Sequence, residues 1–304
     1  MAFLRNTNTS PAKSWGIGSA LLLALAASGC TQNPPVPEPI ISAPVVPELT
    51  NATDQPFTNY RQLAWSDEFS AASLDATKWK PEVKDVWYNN ELQATTNDRK
   101  NLTLNGGNLQ ITAVKENYNG RTYTSARIVT KGLKDFNFGR IDTRAKLPKG
   151  KGVWPAIWML GSNDSQASWP ACGEIDIMEL KGSQPQVNYS TIHFGASISS
   201  KRDQGTAYSL PMPAPPLPAG DFSTDFHVFS VIRSQNKIRW YVDSTLYYTR
   251  TQADVAPSPY PFNNPFYMIL NVAVGGDFDG NPNASTVFPQ QMLVDYVRYY
   301  KYKE

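Results

Sequence analysis

The stretch GEIDIMEL, Gly173 to Leu180, carries three carboxylates, Glu174, Asp176 and Glu179, set among Ile175, Ile177 and Met178. Burial penalises the charged form of an acid, so three of them in one short apolar segment need a reason. In a β-strand alternate side chains share a face, which puts Glu174 and Asp176 together and the isoleucines opposite. Glu179 has the wrong parity. One extra residue near Met178, a β-bulge, resets the parity and brings all three acids onto one surface. Without it Glu179 would lie in apolar packing with no partner. Cleavage of a glycosidic bond uses two carboxyl groups, one ionised and one protonated at the same pH. A third acid between them raises a neighbour's pKa by like-charge repulsion and can share its proton. Calcium also takes carboxylates, but its loops favour flexible polar neighbours and backbone carbonyls over a stiff Ile-rich strand. A solvated strand face with three surface acids is the plain alternative, and it leaves the flanking aromatics unexplained.

Those aromatics are Trp154 and Trp158 in GKGVWPAIWMLG and Trp169 in SWPACGEIDIME. An indole face stacks on the apolar C–H face of a sugar ring, although core packing is the commoner use of a Trp. Trp154 and Trp158 are four apart, so in a strand they share a face.

The elements that must hold these groups read as strands. RIDTRAKL puts Ile141, Thr143, Ala145 and Leu147 on one face and Asp142, Arg144 and Lys146 on the other, and KIRWYV alternates through Ile238, Trp240 and Val242. LTLNGGNLQITAV is a hairpin around Asn105, Gly106 and Gly107. YMILNVAVGG and LVDYVRYYKY are also strand-like, and no long stretch outside the N-terminal segment repeats at 3.6 residues. Many short strands separated by Gly, Pro and Asn predict an all-β sandwich. The Pro-rich stretch Leu210 to Gly220 predicts a surface loop. Cys172 reads as a small buried apolar residue, and with Cys30 as the only other cysteine no disulfide framework exists within the domain.

The chain has 304 residues and a formal charge of +2, with no basic patch to suggest nucleic acid as a partner. Aromatic residues make up 12% of it, including 8 Trp and 15 Tyr, which suits a large β core or a platform for flat ligand faces. Arg5 and Lys13 precede an apolar run from Ala20 to Ala27 that ends in ASGC at Cys30. This is the form of an export signal, too short to span a membrane as a helix. Small residues directly before Cys30 suggest a lipoprotein signal over residues 1–30, with Cys30 lipidated and the protein anchored at the cell surface or outer membrane. Plain secretion is the alternative. Residues 31–57 are dense in Pro and predict an extended spacer. The folded domain is expected over 58–304, as a monomer.

GEIDIME matches the E-x-D-x-x-E signature of glycoside hydrolase family 16. WSDEFS, YNNELQ, YTSARIVTKG, FGRIDTRAKLPKGKGVWPAIWMLG, FHVFSV, WYVDSTLYY, FYMILNVAVGG and MLVDYVRYY resemble bacterial β-1,3-glucanases (laminarinases) of that family, in the family's order across most of Asn59 to Tyr302. The resemblance implies a concanavalin-like jelly roll with a concave substrate cleft and a retaining, cofactor-free mechanism acting within the polymer. It implies Glu174 as nucleophile, Glu179 as general acid/base and Asp176 between them, with carboxyl groups about 5–5.5 Å apart. His193 in TIHFG resembles the family's active-site His. Asn90, Glu91, Arg127, Trp154 and Trp158 resemble sugar-binding positions, with Trp169 close by. Glu68, Gly107 and Asp295 match the positions of a structural calcium. The expected substrate is β-1,3-glucan, with mixed β-1,3-1,4-glucan second. An agarase or porphyranase of the same fold, a transglycosylase and a non-catalytic glucan-binding surface lipoprotein are the alternatives. Arg233 stands where the family often has Trp, which bears on fine specificity.

Overall fold

Period-two alternation is realised as strands along almost the whole domain, because each strand buries one face and leaves the other to solvent or to a second layer. The structure is a computed structural model that describes residues 50–211 and 220–303. Cys30, the leader, the spacer up to residue 49 and most of Leu210–Gly220 lie outside the described residues. In chain order the strands are β1 (Tyr60–Asp67), β2 (Lys80–Pro81), β3 (Gln93–Thr95), β4 (Leu102–Asn105), β5 (Asn108–Tyr118), β6 (Arg121–Ser125), β7 (Arg127–Val129), β8 (Gly139–Lys146), β9 (Val153–Gly161), β10 (Glu174–Leu180), β11 (Val187–Phe194), β12 (Arg202–Ser209), β13 (His227–Ser234), β14 (Lys237–Val242), β15 (Thr245–Thr251), β16 (Phe266–Val274) and β17 (Gln290–Tyr302). Among the described residues the one α-helix, α1, is the single turn Gln252–Val255.

Two sheets form the sandwich. One has ten strands, ordered β15-β14-β13-β8-β17-β5-β6-β3 with β1 on β17 and β4 on β5, and the other has seven, ordered β12-β11-β10-β9-β16-β7-β2. The core between them takes Ile141, Ala145, Leu147, Ile238, Trp240 and Val242 from the first sheet and Ile157, Met159, Ile175, Ile177, Met178 and Leu270 from the second. The alternation read in RIDTRAKL and KIRWYV is thus the core face of the ten-stranded sheet. The β4–β5 hairpin turns at Gly106 and Gly107, both left-handed at φ 61° and 75°, a conformation that glycine adopts without strain.

The domain begins earlier than Thr58. Phe57 packs against Tyr241 at 4.8 Å between ring centroids, and Asp54 bonds Lys237 Nζ at 2.7 Å. Residues from Asn51 onward therefore belong to the sandwich, because they cover the apolar cluster of Tyr60, Ile232 and Tyr241 on the outer face of the ten-stranded sheet.

Cys172 is fully buried, and burial pushes its thiol up to about 11. A thiol that is neither ionised nor exposed is a poor nucleophile. Cys172 is expected to resist a maleimide reagent in the native protein and to react fully in denaturant, which mass spectrometry of the labelled domain would read.

Candidate active site

β10 carries the predicted bulge. Against β9, Asp176 faces Trp158 and Met178 faces Ile157, so Ile177 is the extra residue; against β11, Asp176 faces Thr191 and Glu179 faces Tyr189. Ile175, Ile177, Met178 and Leu180 all enter the core, and the three acids occupy the opposite surface. A bulge frees backbone carbonyls from the ladder, and buried carbonyls need partners. Here the Asp176 carbonyl accepts from Trp240 Nε1 at 2.9 Å, and the Ile177 carbonyl accepts from Ser190 Oγ at 2.8 Å. Trp240 belongs to the facing sheet. Ser190 Oγ lies 2.6 Å from the buried Tyr247 hydroxyl, which also accepts from Asn188 Nδ2.

Each glutamate has its own indole donor. Trp169 Nε1 donates to Glu174 Oε2 at 2.7 Å, and Trp154 Nε1 donates to Glu179 Oε1 at 2.9 Å. His193, paired across the strands with Glu174, places Nε2 at 3.1 Å from Asp176 Oδ2 and 3.7 Å from Glu174 Oε1. Burial, and after it the Asp176 charge, pushes the Glu174 carboxyl up to about 8 against the pull of His193, Trp169 and Arg127. Burial likewise pushes Asp176 up to about 8. Glu179 is raised well above the carboxylate range by burial and by the charges of Asp176 and Glu174. The cluster therefore keeps protons that isolated carboxyls would have released. Glu174 has the most neighbours favouring its charge, and Glu179 faces two acids.

A model of glycosyl hydrolases family 16 matches residues 82–298. The chain belongs to this family. Among curated relatives it is 38% identical over 293 residues to the glucan endo-1,3-beta-glucosidase A1 of Niallia circulans, covering 88% of this chain and 42% of that one. It is 40% identical over 257 residues to the beta-glucanase of Rhodothermus marinus, covering 80% of this chain and 86% of that one. The solved laminarinase catalytic domain of Thermotoga maritima superposes with a TM-score of 0.73 at 41% identity, covering 80% of this chain and 99% of that one. The sandwich is the jelly roll of that family 16 neighbour.

The other expected family 16 positions divide. Trp158 shares the acid-bearing face of β9 with Trp154, and its Nε1 donates to Asn271 Oδ1 at 2.7 Å. The Arg127 guanidinium lies between the Trp158 and Trp87 rings, at 4.7 and 4.5 Å from their centroids, and Nε bonds Glu82 at 2.6 Å. Arg127 and Asn271 are cross-strand partners on the register that leads to Ala156 and Glu179. Glu91 is largely buried, which raises its pKa, and it accepts from Gln93 Nε2. Asn90 donates to Asp277 at 2.8 Å, and Gly276 fits tightly between Asn89, Trp154 and Glu91. Glu91 thus lies across Gly276 from Trp154, with Asn90 beside it on Asp277.

Two expectations change. The Glu68 carboxylate is bound by Arg298 at 2.7 Å and that of Asp295 by Arg144 at 2.7 Å, while Gly107 lies in the exposed β4–β5 turn. Two carboxylates already neutralised by guanidinium groups do not fit a calcium donor set. Arg233 is buried in β13 and stacks on Phe266 at 4.4 Å. Its guanidinium donates to the carbonyls of Phe136, Phe262 and Asn264, so it props the turn beside Gly173 from within the core.

Reading the sequence missed that Trp154 and Trp169 act through their N–H groups. It also missed Phe278, whose ring lies 5.0 Å from Trp154 and 5.4 Å from Tyr189 and walls the Glu179 side, and it missed Asn271. A lone Asn inside YMILNVAV was the available signal for the last.

Two outcomes follow from this geometry. A carboxyl whose folded pKa lies above its unfolded value of 4.5 holds its proton longer in the folded state, so it costs stability progressively as pH rises from about 4.5 toward about 8. Glu174→Gln should melt close to the parent at pH 4.5 and several degrees above it at pH 8, measured by calorimetry. Trp240→Phe leaves the Asp176 carbonyl buried without a donor and should cost about 1–3 kcal/mol in denaturant unfolding, with a lowered kcat.

Proposed function

We propose that this family 16 enzyme is a retaining endo-β-1,3-glucanase of the laminarinase type, with mixed β-1,3-1,4-glucan as a secondary substrate. The observation that carries the reading is the bulged strand, which delivers three acids to one surface with a separate indole donor on each glutamate.

In this reading the Glu174 carboxylate attacks the anomeric carbon while Glu179 protonates the departing glycosidic oxygen. The covalent glycosyl-enzyme is then hydrolysed by a water that Glu179 deprotonates, and Glu174 leaves. Glu174 is the better nucleophile because Trp169 and His193 both favour its charge. Glu179 is the better acid because two neighbouring acids and burial favour its proton. Asp176 lies between them, with His193 Nε2 facing its Oδ2 at 3.1 Å. Arg127, Trp158, Asn90 and Glu91 bind the sugar chain in the glycone part of the cleft. No metal takes part in these steps.

We also propose export by the leader and anchoring through a lipid on Cys30, with the Pro-rich segment holding the domain away from the membrane. Small residues before Cys30 support the anchor.

Reducing-sugar release on laminarin, lichenan, agarose and carrageenan tests the substrate, with laminarin expected first and lichenan second. Activity on agarose alone would keep the mechanism and overturn the substrate. Glu174→Gln should lose more than about a thousandfold in kcat. Azide should restore turnover to Glu179→Ala as the β-glycosyl azide, since the nucleophile remains. The α-azide from that variant would reverse the two roles.

A further inference from the structure

His193 has a second partner outside the acid cluster. β12 lies at the edge of the seven-stranded sheet, and its Asp203 faces His193 directly across the strand pair. Asp203 Oδ1 lies 2.5 Å from His193 Nδ1, and the other Asp203 oxygen takes Lys201 Nζ at 2.8 Å. Burial works against the Asp203 charge, but the bonds from Lys201 and His193 outweigh it and hold the carboxyl below its ordinary range. An ionised carboxylate only accepts, so the hydrogen in this contact is on Nδ1. That leaves Nε2 as the atom presented to Asp176 Oδ2 at 3.1 Å. This Asp176 oxygen is buried and has no hydrogen-bond partner among the described residues, and Nε2 is the polar atom facing it. A proton placed between Nε2 and Oδ2 would give both atoms a partner. With the opposite tautomer, Asp203 would meet a bare nitrogen and lose its bond.

We propose that Asp203 is a positioning residue for the glycosidase reaction: it fixes the tautomer and ring orientation of His193, so that Nε2, left without hydrogen, is presented to Asp176 as the acceptor of its proton between the two catalytic glutamates. Lys201 completes the chain. Its ammonium lies 5.3 Å from the centroid of the Trp169 ring, the same indole that donates to Glu174, so one cation steadies both Asp203 and the nucleophile's donor. The charged groups around His193 are then Glu174, Asp176 and Glu179 from β10 and Asp203 and Lys201 from the edge. The proposal rests on the roles assigned above to the three acids.

The chain has two histidines, and the other, His227, bonds Asp243 through Nδ1 at 2.7 Å and serves as an internal control. Full-length protein labelled with ¹⁵N-histidine reports directly which ring nitrogen carries hydrogen, with His227→Gln assigning the signals. In the parent, His193 is expected with hydrogen on Nδ1. Asp203→Ala should move it toward Nε2, leave His227 unchanged, and lower kcat on laminarin at least about tenfold with KM within about twofold. Asp203→Asn, which keeps an acceptor oxygen, should recover part of both signals. A His193 tautomer unchanged in Asp203→Ala overturns the proposal, whatever kcat does, because a fall in rate alone would mark a merely structural strand. If the parent cleaves no glucan, the substrate reading fails while the tautomer measurement still decides the role of Asp203.

Discussion

A strand buried on one face can present side chains to the other face only at every second position, and GEIDIMEL needs three acids where parity allows two. Ile177 is the residue that breaks the count. Its insertion sends two consecutive apolar side chains, Ile177 and Met178, into the core and lets Glu179 join Glu174 and Asp176. The same insertion strands two carbonyls. Trp240 answers one from across the core and Ser190 answers the other from the neighbouring strand. The acid constellation, the register of β9 and β11, and the placement of a tryptophan on the opposite sheet are consequences of one extra residue.

The site also economises on positive charge. Three carboxyl groups crowd together with no Lys or Arg in direct contact among the described residues, and neutral N–H donors from two indoles take the place a cation would have. A cation beside each acid would fix all three in the ionised form. Indoles orient the carboxyl groups while burial and mutual repulsion keep protons in the cluster, which a double displacement requires of at least one of them. Arg127 is kept at a distance by its own stack of Trp158 and Trp87 and its bond to Glu82.

Much of this was legible in the sequence, because it is written in local pattern. Alternation gave the strands of RIDTRAKL and KIRWYV, the Gly106–Gly107 pair gave the hairpin, and the uneven spacing of the acids gave the bulge. What stayed hidden depended on long-range pairing. An indole offers both a ring face and an N–H, and strand spacing shows on which surface Trp154 lies but not which of the two it uses. The bond between Asp203 and His193 exists only through the register of β12 on β11, which no short window contains. Glu68 and Asp295 matched positions of a metal site, yet each meets an arginine, Arg298 and Arg144, whose position relative to it is set by the fold of the ten-stranded sheet.

The Trp240 bond has a wider meaning for how this surface can vary. The carbonyl it holds belongs to Asp176, while Trp240 itself rests against Tyr248, its cross-strand partner in the ten-stranded sheet, at 4.9 Å. The reactive groups are therefore gauged against the far wall of the sandwich, much as a lens is gauged against its mount. Drift in the thickness of the interior would be read out as drift in catalysis. A search for altered rates or pH optima should sample the core around Trp240 and Tyr248, where residues have no line of sight to the sugar and still set the focus.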